Sequence, residues 1–288
     1  MLQEILNLQA EIFKSATTDF DTGDTLPFYI EYSPYISFSQ VGSLFALTFF
    51  GEGFDENPQT KAVDFQHETN FAFCRFLDFI TEPAHAEKII SLKFQGADAG
   101  ANGTKSWNFN RLANANVLFP NLKYFEVQLT DLGDHNQSIL DDFSYEENGI
   151  TAKLLQKMPN LESLILPSAP NKSFFEIETH PLKHLKIQAG YNHENFIENW
   201  SNSRNFPNLT TVDYSEIIDI FEVETDEYTK FESFKKLFKS EAFSSVKHFT
   251  LWHFNLSNEQ LFELQRLSSV QFSIIDAHGR KYVNHLMK

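Results

Sequence analysis

The stretch whose residue types come nearest to a catalytic or binding motif is Gly96-Ala-Asp-Ala-Gly-Ala-Asn-Gly-Thr-Lys-Ser, ending at Ser106. A phosphate-binding loop needs G-x-x-x-x-G-K-[ST], so that backbone amides and the lysine wrap the phosphates. Here Thr104, not glycine, precedes Lys105, so the spacing fails and a flexible strand-to-helix loop is expected. His180 and His184 are four apart, but at a strand entry, where that spacing does not converge as it does on a helix. His248 and His253 fall on opposite faces of their strand, and all four histidines are expected at the surface. The acids Asp213, Glu216, Asp219, Glu222, Glu224, Asp226 and Glu227 lack the glycine and the alternating oxygen ligands of a calcium loop. They suit either a solvated loop or a contact surface for a basic partner. Cys74 lies in a Phe-rich helix without an electropositive neighbourhood, as a buried, inert thiol would. Asp141-Asp142 and Glu146-Glu147 are adjacent carboxylates in a loop, with nothing to separate them into acid and base. No catalytic residue, cofactor site or metal site is assigned from these patterns.

The elements that would position such residues follow from an internal repetition, which outranks local patterns as a guide to architecture. Phe119-Pro-Asn-Leu-Lys-Tyr-Phe-Glu-Val, Met158-Pro-Asn-Leu-Glu-Ser-Leu-Ile-Leu and Phe206-Pro-Asn-Leu-Thr-Thr-Val-Asp-Tyr share one phrase, with a variant at His180-Pro-Leu-Lys-His-Leu-Lys-Ile. Weaker copies begin at Lys88, Ser245 and Ser269. Beneath them runs an apolar-x-x-apolar-x-apolar frame: Ile89, Leu92, Phe94; Leu122, Phe125, Val127; Leu161, Leu164, Leu166. It continues through Leu182, Leu185, Ile187; Leu209, Val212, Tyr214; and Val246, Phe249, Leu251, while the register of the copy between Val270 and Ile275 is ambiguous. The last two frame positions alternate as a strand buried on one face requires. The proline before them ends a helix and holds its neighbour extended. Helical returns are expected over Ile150 to Met158, Asn192 to Trp200, Tyr228 to Phe243 and Ser257 to Leu267, with another from Trp107 to Leu112. Strand, loop, helix, strand is the rhythm of a parallel α/β sheet.

The frame resembles the L-x-x-L-x-L core of leucine-rich-repeat proteins, and the helical returns resemble their ribonuclease-inhibitor-like branch. The Phe-Pro-Asn-Leu phrases are similar to those of uncharacterised bacterial cytoplasmic leucine-rich-repeat proteins. The resemblance covers about the last two thirds of the chain. It implies an α/β solenoid, a parallel sheet on the concave face and helices on the convex face. The asparagine usual past each strand is mostly absent and the intervals vary, so the horseshoe should be irregular. The repeat domain is placed at residues 85–288. The residues between frame positions would line the concave face in rows: Ser91, Tyr124, Ser163, His184, Thr211, His248; then Lys93, Glu126, Ile165, Lys186, Asp213, Thr250; then Gln95, Gln128, Gln188, Ser215, Trp252. Of these, Tyr124, Glu126, Gln128, His184, Lys186, Gln188, Asp213, His248, Thr250 and Trp252 are the candidate partner-binding residues, with rigid Tyr124 and Trp252 as anchors.

Residues 1–84 lack the phrase and read as an α+β cap, since a solenoid end exposes an apolar column, or as a separate functional domain. A helix carries Leu2, Ile5, Leu6, Leu8, Ile12 and Phe13; strands are expected at Phe28–Tyr32, Tyr35–Phe38 and Ser43–Phe50, and a helix over Phe71–Ile80. The 31 phenylalanines should fill core positions that leucine takes elsewhere. One cysteine, no signal-peptide pattern and no long apolar run suggest a cytoplasmic protein. A formal charge of −16 repels nucleic acid and anionic lipid, and serves either solubility or attraction of a basic protein. The function expected is a non-enzymatic protein-interaction module on the concave face, in one form an immunity or inhibitor protein. The competing classes are an enzyme, with its site in the N-terminal segment or the inserts after Phe94 and Val127, and a scaffold subunit.

Overall fold

Each Phe-Pro-Asn-Leu phrase folds as a tight turn opening into a strand. The turns close through Leu122 N–H to Phe119 O at 3.3 Å, Leu161 N–H to Met158 O at 3.0 Å and Leu209 N–H to Phe206 O at 3.2 Å. Proline thus takes the second turn position, where its fixed φ is favoured. The asparagine ties one turn to the previous unit: Asn121 Nδ2 donates to Glu87 O at 2.7 Å and Asn160 Nδ2 to Pro120 O at 2.9 Å.

The structure, a computed structural model, describes residues 1–17, 33–53, 67–98, 103–131, 134–140, 147–190, 192–216, 228–276 and 283–285. Its strands are β1 (Tyr35–Val41), β2 (Leu44–Phe50), β3 (Ile89–Gln95), β4 (Gly103–Trp107), β5 (Tyr124–Val127), β6 (Asn136–Leu140), β7 (Ser163–Leu166), β8 (His184–Ala189), β9 (Thr211–Glu216), β10 (His248–Trp252), β11 (Gln271–Asp276) and β12 (Val283–His285). Its helices are α1 (Leu2–Thr17), α2 (His67–Ile80), α3 (Pro83–Ala86), α4 (Asn110–Asn114), α5 (Ile150–Lys157), α6 (Phe196–Ser201), α7 (Phe231–Phe238) and α8 (Asn258–Leu267). The chain is α/β, with a ten-stranded sheet in the order β1-β2-β3-β5-β7-β8-β9-β10-β11-β12. From β2 to β11 every neighbouring pair is parallel; β1 and β12 close the two ends antiparallel.

All the frame residues are buried, from Ile89 to Leu251. In the last copy Phe272 pairs with Phe249 and Ile274 with Leu251, which fixes the register that the sequence leaves ambiguous. Phenylalanines dominate the core, as expected. Phe94 lies 4.8 Å from Phe109, 5.5 Å from Phe125 and 5.8 Å from Phe76, ring centroid to centroid. Further along, Phe238 meets Phe249 and Phe272, and Tyr214 stacks on Phe196. These contacts join helix residues to the inward side of the strands, so the helices cover one sheet face. Their order follows the chain, with α1 on α2, α2 on α4, α4 on α5, α6 on α7 and α7 on α8.

The N-terminal segment is built into the same layers. Phe45, Leu47 and Phe49 of β2 are buried, and β2 runs parallel to β3. On α1, Ile5, Leu8 and Ile12 are buried while Leu2, Leu6 and Phe13 are exposed. The strand expected at Phe28–Tyr32 lies outside the described residues.

Several local expectations are corrected. Part of the stretch expected as a flexible loop is strand β4, which pairs in parallel with β6 to form a second, two-stranded sheet. The inserts after Phe94 and Val127 therefore satisfy each other's backbone groups. The helix expected from Trp107 starts at Asn110, and α6 starts at Phe196 because Glu194 and Asn195 adopt φ of 52° and 51°, outside helical space. The run from Tyr228 to Phe243 divides into α7 and a 3-10 turn at Glu241–Phe243. Glu147, expected as an unremarkable loop acid, is buried and accepts from Gly149 N–H, Thr151 N–H and Asn171 N–H at 2.9, 2.7 and 3.2 Å. Its carboxylate thus satisfies orphan amides at the positive end of α5. Cys74 is half-buried rather than buried.

The alternation makes opposite predictions for neighbours on β7. Leu164→Ala should lower unfolding free energy by about 3 kcal/mol, since it empties a packed core position. Ile165→Thr, on the uncovered face, should cost less than about 1 kcal/mol. Urea unfolding checks both, and equal losses would contradict the strand register.

Candidate interaction face

The helices leave the outward strand residues uncovered, and the strand register aligns them. Ser91 pairs with Tyr124, Tyr124 with Ser163, Ser163 with His184, His184 with Thr211 and Thr211 with His248. The second row runs in the same way from Lys93 through Glu126, Ile165, Lys186 and Asp213 to Thr250. Gln188, Ser215 and Trp252 form the third across β8, β9 and β10. Nine of the ten candidate residues therefore share one side of the main sheet, with Gln128 just past the end of β5, and two clusters form on that side, with Ser163 and Ile165 between.

The first cluster is on β3 and β5. Tyr124 Oη donates to Glu126 Oε2 at 2.5 Å, Lys93 Nζ lies 3.0 Å from the same oxygen, and the ammonium is 4.8 Å from the Tyr124 ring centroid. Burial, and then the Glu126 carboxylate, push the Tyr124 hydroxyl far above the usual phenol range. Tyr124 is accordingly a protonated donor with a half-buried ring, suited to contact.

The second cluster surrounds a cavity of about 130 Å³ at the C-terminal ends of β8 to β10, lined by Lys186, Asp213, Ser215 and Trp252 from the sheet and Asp131 from the loop after β5. Lys186 Nζ sits 5.5 Å from the Trp252 ring centroid, a cation–π contact. Gln188 does not project freely. Its amide accepts from Thr130 N–H and donates to Thr130 O, both at 2.8 Å, and pins the loop to β8. Gln128 likewise accepts from Gly96 N–H at 2.8 Å. The wall made by Leu129 to Asp131 was not foreseeable, since Thr130 meets its partner 58 residues away. His184 and His248 are exposed in the first row, with Thr211 between them.

The remaining titratable groups fall elsewhere. His180, expected at the surface, is buried, with Nε2 3.0 Å from Met158 O. A carbonyl only accepts, so Nε2 carries the proton, and burial lowers the ring's affinity for a second. Asp98 accepts from the His135 backbone N–H at 2.9 Å, from its ring Nδ1 at 2.8 Å and from Asn136 Nδ2 at 2.9 Å. These bonds, the backbone one foremost, hold Asp98 well below the usual carboxylate range and staple one insert to the other. Of the acidic stretch, Asp213 is on the uncovered face and Glu216 is fully buried, while residues 217–227 lie outside the described residues. Among the described residues no group of three or more His, Cys, Asp or Glu side chains is disposed to hold a metal. None of their helices is long and apolar enough to cross a membrane.

Comparison with protein families, with curated proteins and with solved structures finds no match.

Beneath the second cluster lies Glu216, which the sequence placed in a solvated or contact stretch and the structure buries. Glu216 Oε1 accepts from Tyr214 Oη at 2.9 Å and from Thr229 N–H at 3.1 Å, and the Thr229 hydroxyl also donates to it. Its own N–H donates to His253 O at 3.2 Å, beside the cavity. Burial pushes its carboxyl up to about 7, against the opposing pull of these hydrogen bonds. A folded-state value above the unfolded one means the native protein keeps a proton that the unfolded chain has released. Stability from this group is therefore complete below about pH 4.5 and falls as pH rises toward 7, by up to about 3 kcal/mol. Glu216→Gln should flatten that part of the curve, which urea unfolding at several pH values measures as wild type minus variant. A constant difference from pH 5 to 7.5 would show that the carboxyl titrates normally.

Proposed function

We propose that the chain is a leucine-rich-repeat-type solenoid, its uncovered sheet face concave, and that this face binds another protein without catalysing a reaction. The observation that carries the proposal is the alignment of polar and aromatic side chains in registered rows on a face that none of the described helices covers. Strand order that follows chain order, with helices ranked along the opposite side, supports the solenoid form. Half-buried Tyr124 and Trp252 supply rigid contact area at the two ends of the face, which suits an interface in which a few aromatic side chains dominate affinity. The formal charge of −16 favours a basic partner over nucleic acid or an anionic membrane. A protein of this kind would work in the cytoplasm, and an immunity or inhibitor protein facing a basic toxin or nuclease is a specific form of it.

Affinity purification from the native organism identifies the partner, and variants then locate the contact. Ser163→Arg with Thr250→Arg places one bulky cation in the middle of the face and one at its Trp252 end, on outward positions that leave the core intact. Binding of the purified partner should weaken at least about tenfold and fall steeply with salt. Lys153→Glu, on the exposed side of α5, should change it little. Unchanged affinity in the double arginine variant, with the thermal midpoint preserved, removes this face as the binding surface.

A further inference from the structure

We infer that the cavity at the ends of β8, β9 and β10 is a receptor for an arginine side chain of the partner. The inference rests on the interaction reading above and names the group that anchors it. Size comes first. At about 130 Å³ the cavity is smaller than the roughly 300–1,000 Å³ typical of pockets that enclose a cofactor or metabolite. It accommodates a side chain.

Charge and shape then select the side chain. The lining sets two carboxylates, Asp131 and Asp213, against one ammonium, Lys186, so the walls favour a cation, as does the charge of the whole chain. Trp252 presents a ring face on which a cation already rests, because Lys186 Nζ lies 5.5 Å from its centroid. An ammonium on a flexible stem is a compact point charge, whereas a guanidinium stacks on an indole face and offers a planar fork to a carboxylate. An entering arginine can therefore take the position over Trp252, bond Asp213 from the neighbouring strand, and leave Lys186 to turn outward to solvent. Lysine would only replace one ammonium with another. A carboxylate ligand would gain Lys186 but face both aspartates.

The walls are also held before anything binds. Both the oxygen and the nitrogen of the Gln188 side-chain amide are committed to Thr130, which fixes the loop carrying Asp131. Asp131 N–H donates to Asp134 Oδ2 at 2.8 Å and Asp134 N–H to Asp131 O at 2.9 Å, locking the same loop internally. On the opposite side His253 holds φ at 44°, an uncommon value for a non-glycine residue, and its carbonyl is tied to Glu216 N–H. A preformed receptor loses less ordering entropy on binding.

The test uses the intact protein and its tryptophan indole N–H signals in a nitrogen-edited NMR spectrum. Trp107 and Trp200 are fully buried, whereas Trp252 borders the cavity, and Trp252→Phe assigns its signal. Titration with Nα-acetyl-arginine amide should shift the Trp252 signal saturably and leave the other two in place. The neutral isostere Nα-acetyl-citrulline amide and the acidic Nα-acetyl-glutamate amide should not. Asp213→Asn should weaken the arginine probe about fivefold or more, and the purified partner about tenfold, the usual scale for a charge-assisted hydrogen bond. An equal response to citrulline, a stronger one to glutamate, or no saturable shift overturns the inference. If Ser163→Arg with Thr250→Arg abolishes partner binding while Asp213→Asn leaves it intact, the receptor falls and the interaction face stands. If neither substitution matters, both fall.

Discussion

A strand covered on one side buries alternate residues only, and a single strand with its helix cannot close off the apolar strip that results. Stacking the units in parallel and in register is what closes it, and most of the molecule depends on that condition. It requires each strand to begin at the same level as its neighbour. The Phe-Pro-Asn-Leu turns meet this requirement, because proline fixes the bend and asparagine bonds to a carbonyl of the unit before it. The lateral bonds of the strand entries continue the alignment, with Lys123 N–H donating to Ile90 O, Glu162 N–H to Lys123 O, Lys183 N–H to Glu162 O and Thr210 N–H to Lys183 O. Lys123 and Lys183 also straddle Glu162 at 3.0 and 2.7 Å. Those ion pairs are exposed and contribute little beside the buried frame.

The opposite rim of the sheet follows different rules. There the units are not joined by a repeated turn, since inserts of unequal length leave β3 and β5. Several of their polar groups are paired by individual side chains: Gln128 on Gly96, Gln188 on Thr130, Asp98 on His135 and Asn136, and Ser138 Oγ accepting from Trp107 Nε1. Gly190 is there for room, because a Cβ at that position would collide with the Gln137 amide. Buried polar contacts of this kind are costly unless well paired, and they hold a loop in one place when they are. The regular rim therefore supplies alignment, and the irregular rim supplies a shaped surface.

This division sets the two ends of the strands apart. Rows of alternating polar residues follow from any half-covered sheet and carry no specificity by themselves. A shaped surface forms where the clamped loop after β5 rises beside Trp252, and where the backbone N–H of buried Glu216 is tied to the carbonyl of His253. Loops positioned by a rigid scaffold are the usual place for recognition.

The sequence by itself determined the strands of the frame, their parallel order and the side chains in each row. Those follow from local periodicity, and period-two burial at Leu164, Leu185 or Phe249 is written in adjacent residues. It also carried the phenylalanine-rich core. Only the tertiary structure decided which row members other segments engage. Gln188 reads as one more outward polar residue, yet a loop 58 positions away engages its amide. His180, Glu147 and Glu216 read as surface residues, yet each is enclosed by segments distant in sequence. The second sheet was equally invisible, because β4 and β6 are short and each exists through the other. Periodicity reports what a residue's own strand or helix requires of it, whereas a clamp, a cap or a cavity is fixed by which remote backbone arrives beside it.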